Sequence, residues 1–177
     1  MRISTRGEYG LRILMELGME PSRGLALREI AQRQRISLDY LEQIVPSLKQ
    51  AGLIRAQRGA RGGYFLAKKP AQITILDALV ALEGPFDLML CVSDDPPAKM
   101  LQSSINGDTG NGPITDSNCP ASGACAVQEV WQEMKSAVES VLTNLTLEEL
   151  LRRQEDRYGV PIRTYNEKNL AQLPVLN

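Results

Sequence analysis

The sequence predicts a mainly α-helical fold carrying one small β-hairpin. Three observations lead there. Apolar residues recur at helical spacing in three short runs within the first 50 residues, two short strand-like segments flank the glycine-rich RGARGG at 58–63, and one long apolar stripe begins at Ala126.

Each element follows in order. From Ser4, a candidate N-cap, TRGEYGLRILMELGME sets Tyr9, Leu11, Ile13, Leu14 and Leu17 on an approximately helical stripe. The PSRG turn at 21–24 ends this first helix, and LALREIAQRQR spaces Leu27, Ile30 and Ala31 for a second, short one. A few residues later Ser37 caps a third helix, LDYLEQIVPSLKQAG, with Leu41, Ile44, Val45 and Leu48 inward and Gly52 at its end. Pro46 falls inside it, where a lost hydrogen bond and ring crowding cost about 3 kcal/mol, so a kink is expected. LIRAQ and YFLAK then read as short strands around RGARGG.

Thr74 caps ILDALVALEG, which Gly84 and Pro85 end. Residues 93–118, rich in Pro, Gly, Ser, Asn and Asp without an extended apolar period, predict a mobile loop. From Ala126, AVQEVWQEMKSAVESVLTNL places Val127, Val130, Trp131, Met134, Val138, Val141 and Leu142 on one broad face that needs burial, in this chain or against a partner. TLEELLRRQ, capped by Thr146, packs nearby. There is no internal repeat. The expected divisions are 1–84, a cysteine-bearing loop with an insertion at 85–125, the long helix and a short one at 126–157, and an irregular tail at 158–177.

Helix, helix, turn, helix, hairpin is the order of a winged helix-turn-helix, so residues 1–84 are expected to bind double-stranded DNA. The third helix would enter the major groove. Its exposed residues are Ser37, Asp39, Tyr40, Glu42, Gln43 and Lys49; Asp39 or Glu42 suits cytosine N4, and Gln43 suits adenine. Arg58 and Arg61 of the hairpin would reach the flanking backbone or minor groove. Taken singly, these polar residues serve equally well as the solvated face of a surface helix, and RGARGG as a plain turn; the ordered combination decides for DNA.

Charge agrees. Residues 1–70 carry 13 Lys+Arg against 6 Asp+Glu, and residues 71–177 carry 7 against 15, so a net charge of -1 hides a basic first part and an acidic remainder. The 43% apolar content suffices for a core, and no stretch approaches the roughly 20 apolar residues of a membrane span. A cytoplasmic protein is expected. Catalysis is not: there is no histidine, no GxSxG and no phosphate-cradling P-loop, and the glycines at 59–63 lie on a hairpin instead of between strand and helix.

ISLDYLEQIVPSLKQAGLI, RGARGGYFLAKKP and the opening MRISTRGEYGLRIL resemble the Rrf-two family of bacterial winged-helix regulators, in particular its iron-sulfur and nitric-oxide-sensitive members. NLTLEELL and the cysteine-bearing segment ending in Trp131 extend the resemblance over nearly the whole chain. It implies a transcriptional regulator, of repressor type, acting as a homodimer on a palindromic or pseudo-palindromic operator, with the long helix as the dimerisation element.

The resemblance also bears on Cys91, Cys119 and Cys125. Iron-sulfur members hold a cluster, 2Fe-2S or 4Fe-4S, on three cysteines, the last two with five residues between them as here. The 27 residues between Cys91 and Cys119 exceed the usual handful, though loop-closure cost rises only slowly with length. Gln128 stands where the family's iron-sulfur cluster regulator has a histidine ligand. Some relatives use an acidic side chain from the partner's first helix, and Glu8 matches that position; Gln128, Asp116 and solvent are weaker candidates. A plain i,i+4 pair between Glu8 and Arg12 is the alternative. For the cysteines the alternatives are ordinary burial, a zinc site of three thiolates and one oxygen, or a metal-free thiol-redox switch such as a Cys119–Cys125 disulfide. A regulator that answers to a protein partner through its acidic part is the remaining reading.

Overall fold

The computed structural model describes residues 3–59, 62–86, 92 and 125–159. Six α-helices and one hairpin occur among them: α1 Thr5–Met19, α2 Leu27–Gln34, α3 Leu38–Gln50, β1 Ile54–Gln57, β2 Gly63–Leu66, α4 Ile75–Glu83, α5 Ala126–Asn144 and α6 Leu147–Tyr158, with a single 3-10 turn at Pro70–Gln72. The mainly α fold with one small hairpin is therefore as the sequence predicts. Arg61, Cys91, Cys119, the insertion at 93–118 and the tail beyond Gly159 lie outside the described residues.

Helix starts follow side-chain chemistry. Ser4, Ser37, Thr74 and Thr146 each turn an oxygen onto backbone N–H groups of the first turn, which satisfies donors the helix itself leaves open. At α4 the arrangement is reciprocal, since the Asp77 carboxylate accepts from the Thr74 N–H. Glu83, at the end of α4, reaches the start of α1: its Oε1 accepts from the Gly7 N–H at 2.8 Å and from the Ser4 hydroxyl. A carboxylate there also suits the positive end of the α1 dipole.

The chain forms two compact units, one of Arg2–Gly84 with Leu142–Asn177 and one covering Pro85–Val141. In the first, Ile13, Leu14 and Leu17 of α1 meet Ile30 of α2, Leu41, Ile44 and Leu48 of α3, Leu53, Ile54 and Leu66 of the hairpin, Ile73, Ala78 and Leu82 around α4, and Leu147 and Leu151 of α6 in one core. Full burial of such side chains contributes about 1.5–3 kcal/mol each. Where the sequence grouped the short last helix with the long one, the structure places α6 in this core, joined to the 3-10 turn region by a bridge between Thr74 and Thr146 and by the Leu147 N–H on the Ile73 carbonyl at 2.9 Å.

One face of α1 is built from glycines the apolar stripe did not include. A Cβ on Gly10 would fall on Leu82, and one on Gly18 would stand 2.7 Å from Leu151 Cδ1. Each helical glycine costs about 1 kcal/mol in propensity, yet here it lets α4 and α6 approach the α1 backbone. α3 runs through Pro46 from Leu38 to Gln50 without a break, with the proline on its exposed side.

β1 and β2 pair antiparallel from Ile54 against Leu66 to Gln57 against Gly63. Leu25 adds a third, one-residue rung: its N–H donates to the Tyr64 carbonyl at 3.0 Å and its carbonyl accepts from the Tyr64 N–H at 2.9 Å. Gly63, at φ +140°, sits so close to the Gly24 and Leu25 backbone that a Cβ would clash there. The hairpin is thus fastened to the residues that open α2.

Candidate nucleic-acid interface

The turn between α2 and α3 sets the interface. Arg35 takes a left-handed conformation, φ 55°, and the Ile36 N–H returns to the Ala31 carbonyl at 3.0 Å, closing α2 just before Ser37 starts α3. α3 buries Leu41, Ile44, Val45 and Leu48 as expected and turns Ser37, Asp39, Glu42, Gln43 and Lys49 outward. Asp39, Glu42 and Gln43 occupy the first half of the helix; Lys49 lies in its last turn. Ser37 Oγ accepts from the Tyr40 N–H at 3.3 Å, which leaves its hydroxyl hydrogen available to an outside acceptor.

Tyr40 is different. It is half-buried, edge-on against Tyr9 of α1 with ring centroids 5.8 Å apart, and Arg12 lies over the Tyr9 ring at 5.5 Å. Its ring thus serves packing as well as surface. Arg58, the first residue beyond β1, is exposed, and Arg55 on the strand lays its guanidinium 4.4 Å over the Phe65 ring. Arg61 lies outside the described residues.

Ion pairing explains where the basic excess remains. Arg12 pairs with Glu8, Arg23 with Glu20 and Glu29, and Arg33 with Glu16, Glu20 and Glu29. Glu16 and Glu20 are buried, and Gln34 supplies a further donor to Glu16 at 2.6 Å. The Glu29 carboxyl is held below its usual range, first by the Arg23 hydrogen bond and, against the cost of burial, by the charges of Arg23 and Arg33. Four of the six acids in residues 1–70 are consumed in this way. Arg28, Arg35, Lys49 and Arg58 are exposed and have no ion pair among the described residues. Arg28 and Arg35 were not singled out from sequence. The signal was there, because Glu8–Arg12 and Glu29–Arg33 have i,i+4 spacing and Glu20–Arg23 has i,i+3; removing those pairs leaves them among the uncompensated cations.

Of the thiols, Cys125 is described. It immediately precedes α5, half-buried, and its carbonyl accepts from the Gln128 N–H at 3.0 Å. Glu8 is exposed and bound to Arg12 at 2.5 Å, the pairing that stood as the alternative to a ligand role. Among the described residues no three His, Cys, Asp or Glu side chains group as a metal site. On α5, Val127, Val130, Met134 and Val141 are exposed, while Trp131, Val138 and Leu142 are partly covered. No helix among the described residues is long and apolar enough to cross a membrane.

Comparison with known proteins fits this geometry. Residues 3–153 match the Rrf2 family, described as an iron-dependent transcriptional regulator. The chain is 36% identical over 151 residues to the HTH-type transcriptional regulator CymR of Bacillus subtilis, covering 85% of this chain and 89% of that one. The solved structure of CymR (YrzC), the global cysteine regulator of B. subtilis, superposes with a TM-score of 0.63 at 34% identity over 86% of this chain and 98% of that one. T. potens IscR superposes with a TM-score of 0.64 at 27% identity, covering 96% of each chain. These relatives are DNA-binding regulators and not enzymes. The chain belongs to the Rrf2 family of winged-helix transcriptional regulators.

Proposed function

We propose that this regulator is a homodimer that represses transcription from a palindromic or pseudo-palindromic operator and answers to an iron-sulfur cluster held by Cys91, Cys119 and Cys125. The observation that carries the sensing part is the half-buried thiol of Cys125 immediately before the 19-residue α5, at the end of the segment that also bears Cys119 in sequence. Glu8 is the proposed fourth ligand, given by the partner subunit. Its present bond is an exposed i,i+4 pair worth about 0.3–0.5 kcal/mol, so exchanging Arg12 for a metal is inexpensive. Three thiolates and one weak oxygen ligand would leave a bound cluster open to oxidants, nitric oxide or iron loss.

Ser37, Asp39, Tyr40, Glu42, Gln43 and Lys49 of α3 are the proposed contacts in the major groove, with Ser37 and Gln43 as hydrogen-bonding groups to base or phosphate and Lys49 to the backbone. Arg58 and Arg61 are the proposed wing contacts. The exposed Val127, Val130, Met134 and Val141 support pairing of α5 with the same helix of a second subunit.

A cluster-free thiol switch is the second reading, and the 36% identity to CymR, with its solved structure described as that of a cysteine regulator, favours it specifically. Anaerobic purification followed by absorption spectroscopy and iron and sulfide assay separates the two. Visible sulfur-to-iron absorption that disappears in Cys125→Ala is the expected result; a colourless wild type that binds DNA and changes affinity on thiol oxidation would transfer the function to the second reading.

A further inference from the structure

α2 has three faces. Leu27, Ile30 and Ala31 turn to the core. Glu29 and Arg33 belong to the charged joint with α1, where Arg33 bonds Glu16 and Glu20 as well as Glu29. The third face is Arg28, Gln32 and Arg35, at the i, i+4, i+7 spacing that keeps side chains on one side of a helix, and all three are exposed. Neither arginine has an ion pair or a side-chain hydrogen bond among the described residues.

Both arginines stand where the fold alone favours another residue. Arg28 is the second residue of α2, and the positive end of the helix dipole disfavours a cation there. Arg35 takes the left-handed conformation, φ 55°, that suits glycine or asparagine. Local stability thus explains neither. Nor does α3 bring the charge that a phosphate backbone attracts, since its charged residues are Asp39 and Glu42 against Lys49, two acids and one base. A helix so charged is repelled by the strands on either side of the groove it enters, and the attraction has to come from its neighbours. Arg35 ends α2 two residues before Ser37 starts α3, so the arginine stripe leads directly into that helix.

We propose that Arg28 and Arg35 grip the DNA backbone: the outward face of α2 lies along the phosphates of one strand bordering the major groove and holds α3 in place against the repulsion of Asp39 and Glu42. This rests on the reading of α3 as the element in the groove. The two arginines are seven residues apart, about 10 Å along the helix, a spacing suited to successive anions of a polymer more than to one small anion. Their role is positional. Guanidinium–phosphate bonds carry no sequence information, so the pair strengthens binding to any duplex while the side chains of α3 choose among sequences.

The test measures binding of the full-length protein to two labelled duplexes of equal length, one recovered by selection from a random pool and one scrambled, by anisotropy at several salt concentrations. Arg28→Ala, Arg35→Gly and Arg35→Lys are compared with wild type. Each lost phosphate contact lowers the slope of log affinity on log salt by about 0.9, which relative to 1 M salt is about a fivefold loss near 0.15 M. The expected result is that loss on both duplexes alike in Arg28→Ala and in Arg35→Gly, with the slope recovered in Arg35→Lys. Arg35→Gly should meanwhile resist urea at least as well as wild type, which separates weaker binding from a weakened fold. A wild-type slope in either loss variant overturns the proposal, as does a loss confined to the selected duplex, which makes the arginines base readers. Should Arg35→Gly lose helical circular dichroism, Arg35→Asn, also at ease in the left-handed region, takes its place with the same outcomes. Gln43→Ala is measured alongside. Lowered slopes in the arginine variants with undiminished site preference in Gln43→Ala leave the phosphate grip standing and remove α3 as the reader; lost preference with unchanged slopes does the reverse.

Discussion

Replacing Arg33 with alanine probes the charged joint between α1 and α2 that holds the helix-turn-helix together. Arg33 Nη1 bonds Glu16 Oε2 at 2.9 Å, and Nη2 bonds Glu20 Oε1 at 3.2 Å and Glu29 Oε1 at 2.6 Å. After the substitution Glu20 and Glu29 keep Arg23, and Glu16 keeps only the Gln34 amide, so one carboxylate of 6% exposure loses its cation. Charge-assisted bonds are worth about 1.5–3 kcal/mol each when a partner is left behind. Arg33 is 33% exposed, and solvent screening reduces its share, which gives a net loss of about 2 kcal/mol. In a chain of this length that lowers Tm by about 4–8 °C. The assay is urea and thermal unfolding followed by far-UV circular dichroism, with Arg28→Ala on the same helix as control, expected within about 0.5 kcal/mol of wild type. Arg33→Lys, which keeps charge but not the fork, should fall between. An Arg33→Ala protein as stable as Arg28→Ala would refute the claim that this network orders the two helices.

Four more outcomes are expected. Gly18→Val should destabilise by about 2 kcal/mol through its clash with Leu151, and Leu151→Ala added to it should cost less than it does alone; additive losses in chemical denaturation would remove the close-approach argument. Because the Glu29 carboxyl titrates below its usual value in the folded state, its contribution is complete above about pH 4.5 and fades as pH falls through the depressed value; Glu29→Gln should flatten the acid limb of a stability–pH curve, and an unchanged limb contradicts the assignment. Arg58→Ala should weaken DNA binding whatever the state of the thiols and lower the salt dependence by about one unit of slope, measured by anisotropy at several salt concentrations. Cys119→Ala should lose iron and sulfide with its fold intact, whereas Glu8→Ala should alter only the visible spectrum or its lifetime in air; full iron content in the first variant ends the ligand assignment.

Much of the architecture was legible because local chemistry announces it. Ser4, Ser37, Thr74 and Thr146 were readable as caps from the apolar runs that follow them, and Gly84 as a stop. What sequence did not disclose is what depends on distant partners. The Leu25 rung of the hairpin is a single residue with no period of its own, and its pairing with Tyr64 spans 39 positions. Buried Glu16 looks like any exposed helix carboxylate until Arg33 and Gln34 are brought beside it. The glycines of α1 register as weak helix formers, and only Leu82 and Leu151 explain them. α6 follows α5 directly in sequence, so its place in the other unit's core could not be read from order. In the interface the outward set on α3 was legible from period alone. Tyr40 was the exception: its place in the helix period reads as outward, yet it is half-buried with its ring edge-on against Tyr9. Lys135 of α5 reversed expectation altogether: it is buried, whereas a lysine on an apolar helix is ordinarily its wet side.

The most direct test is sequence selection from a random duplex pool, followed by affinity measurement of the recovered site against a scrambled duplex for wild type, Gln43→Ala and Arg58→Ala. The expected result is a recovered site with two-fold symmetry. Gln43→Ala should lose the preference for that site by about 1–3 kcal/mol while keeping general DNA affinity, and Arg58→Ala should lose affinity for both duplexes alike. Equal binding of selected and scrambled duplexes by the wild type, or undiminished preference in Gln43→Ala, would contradict α3 as the element that reads the operator.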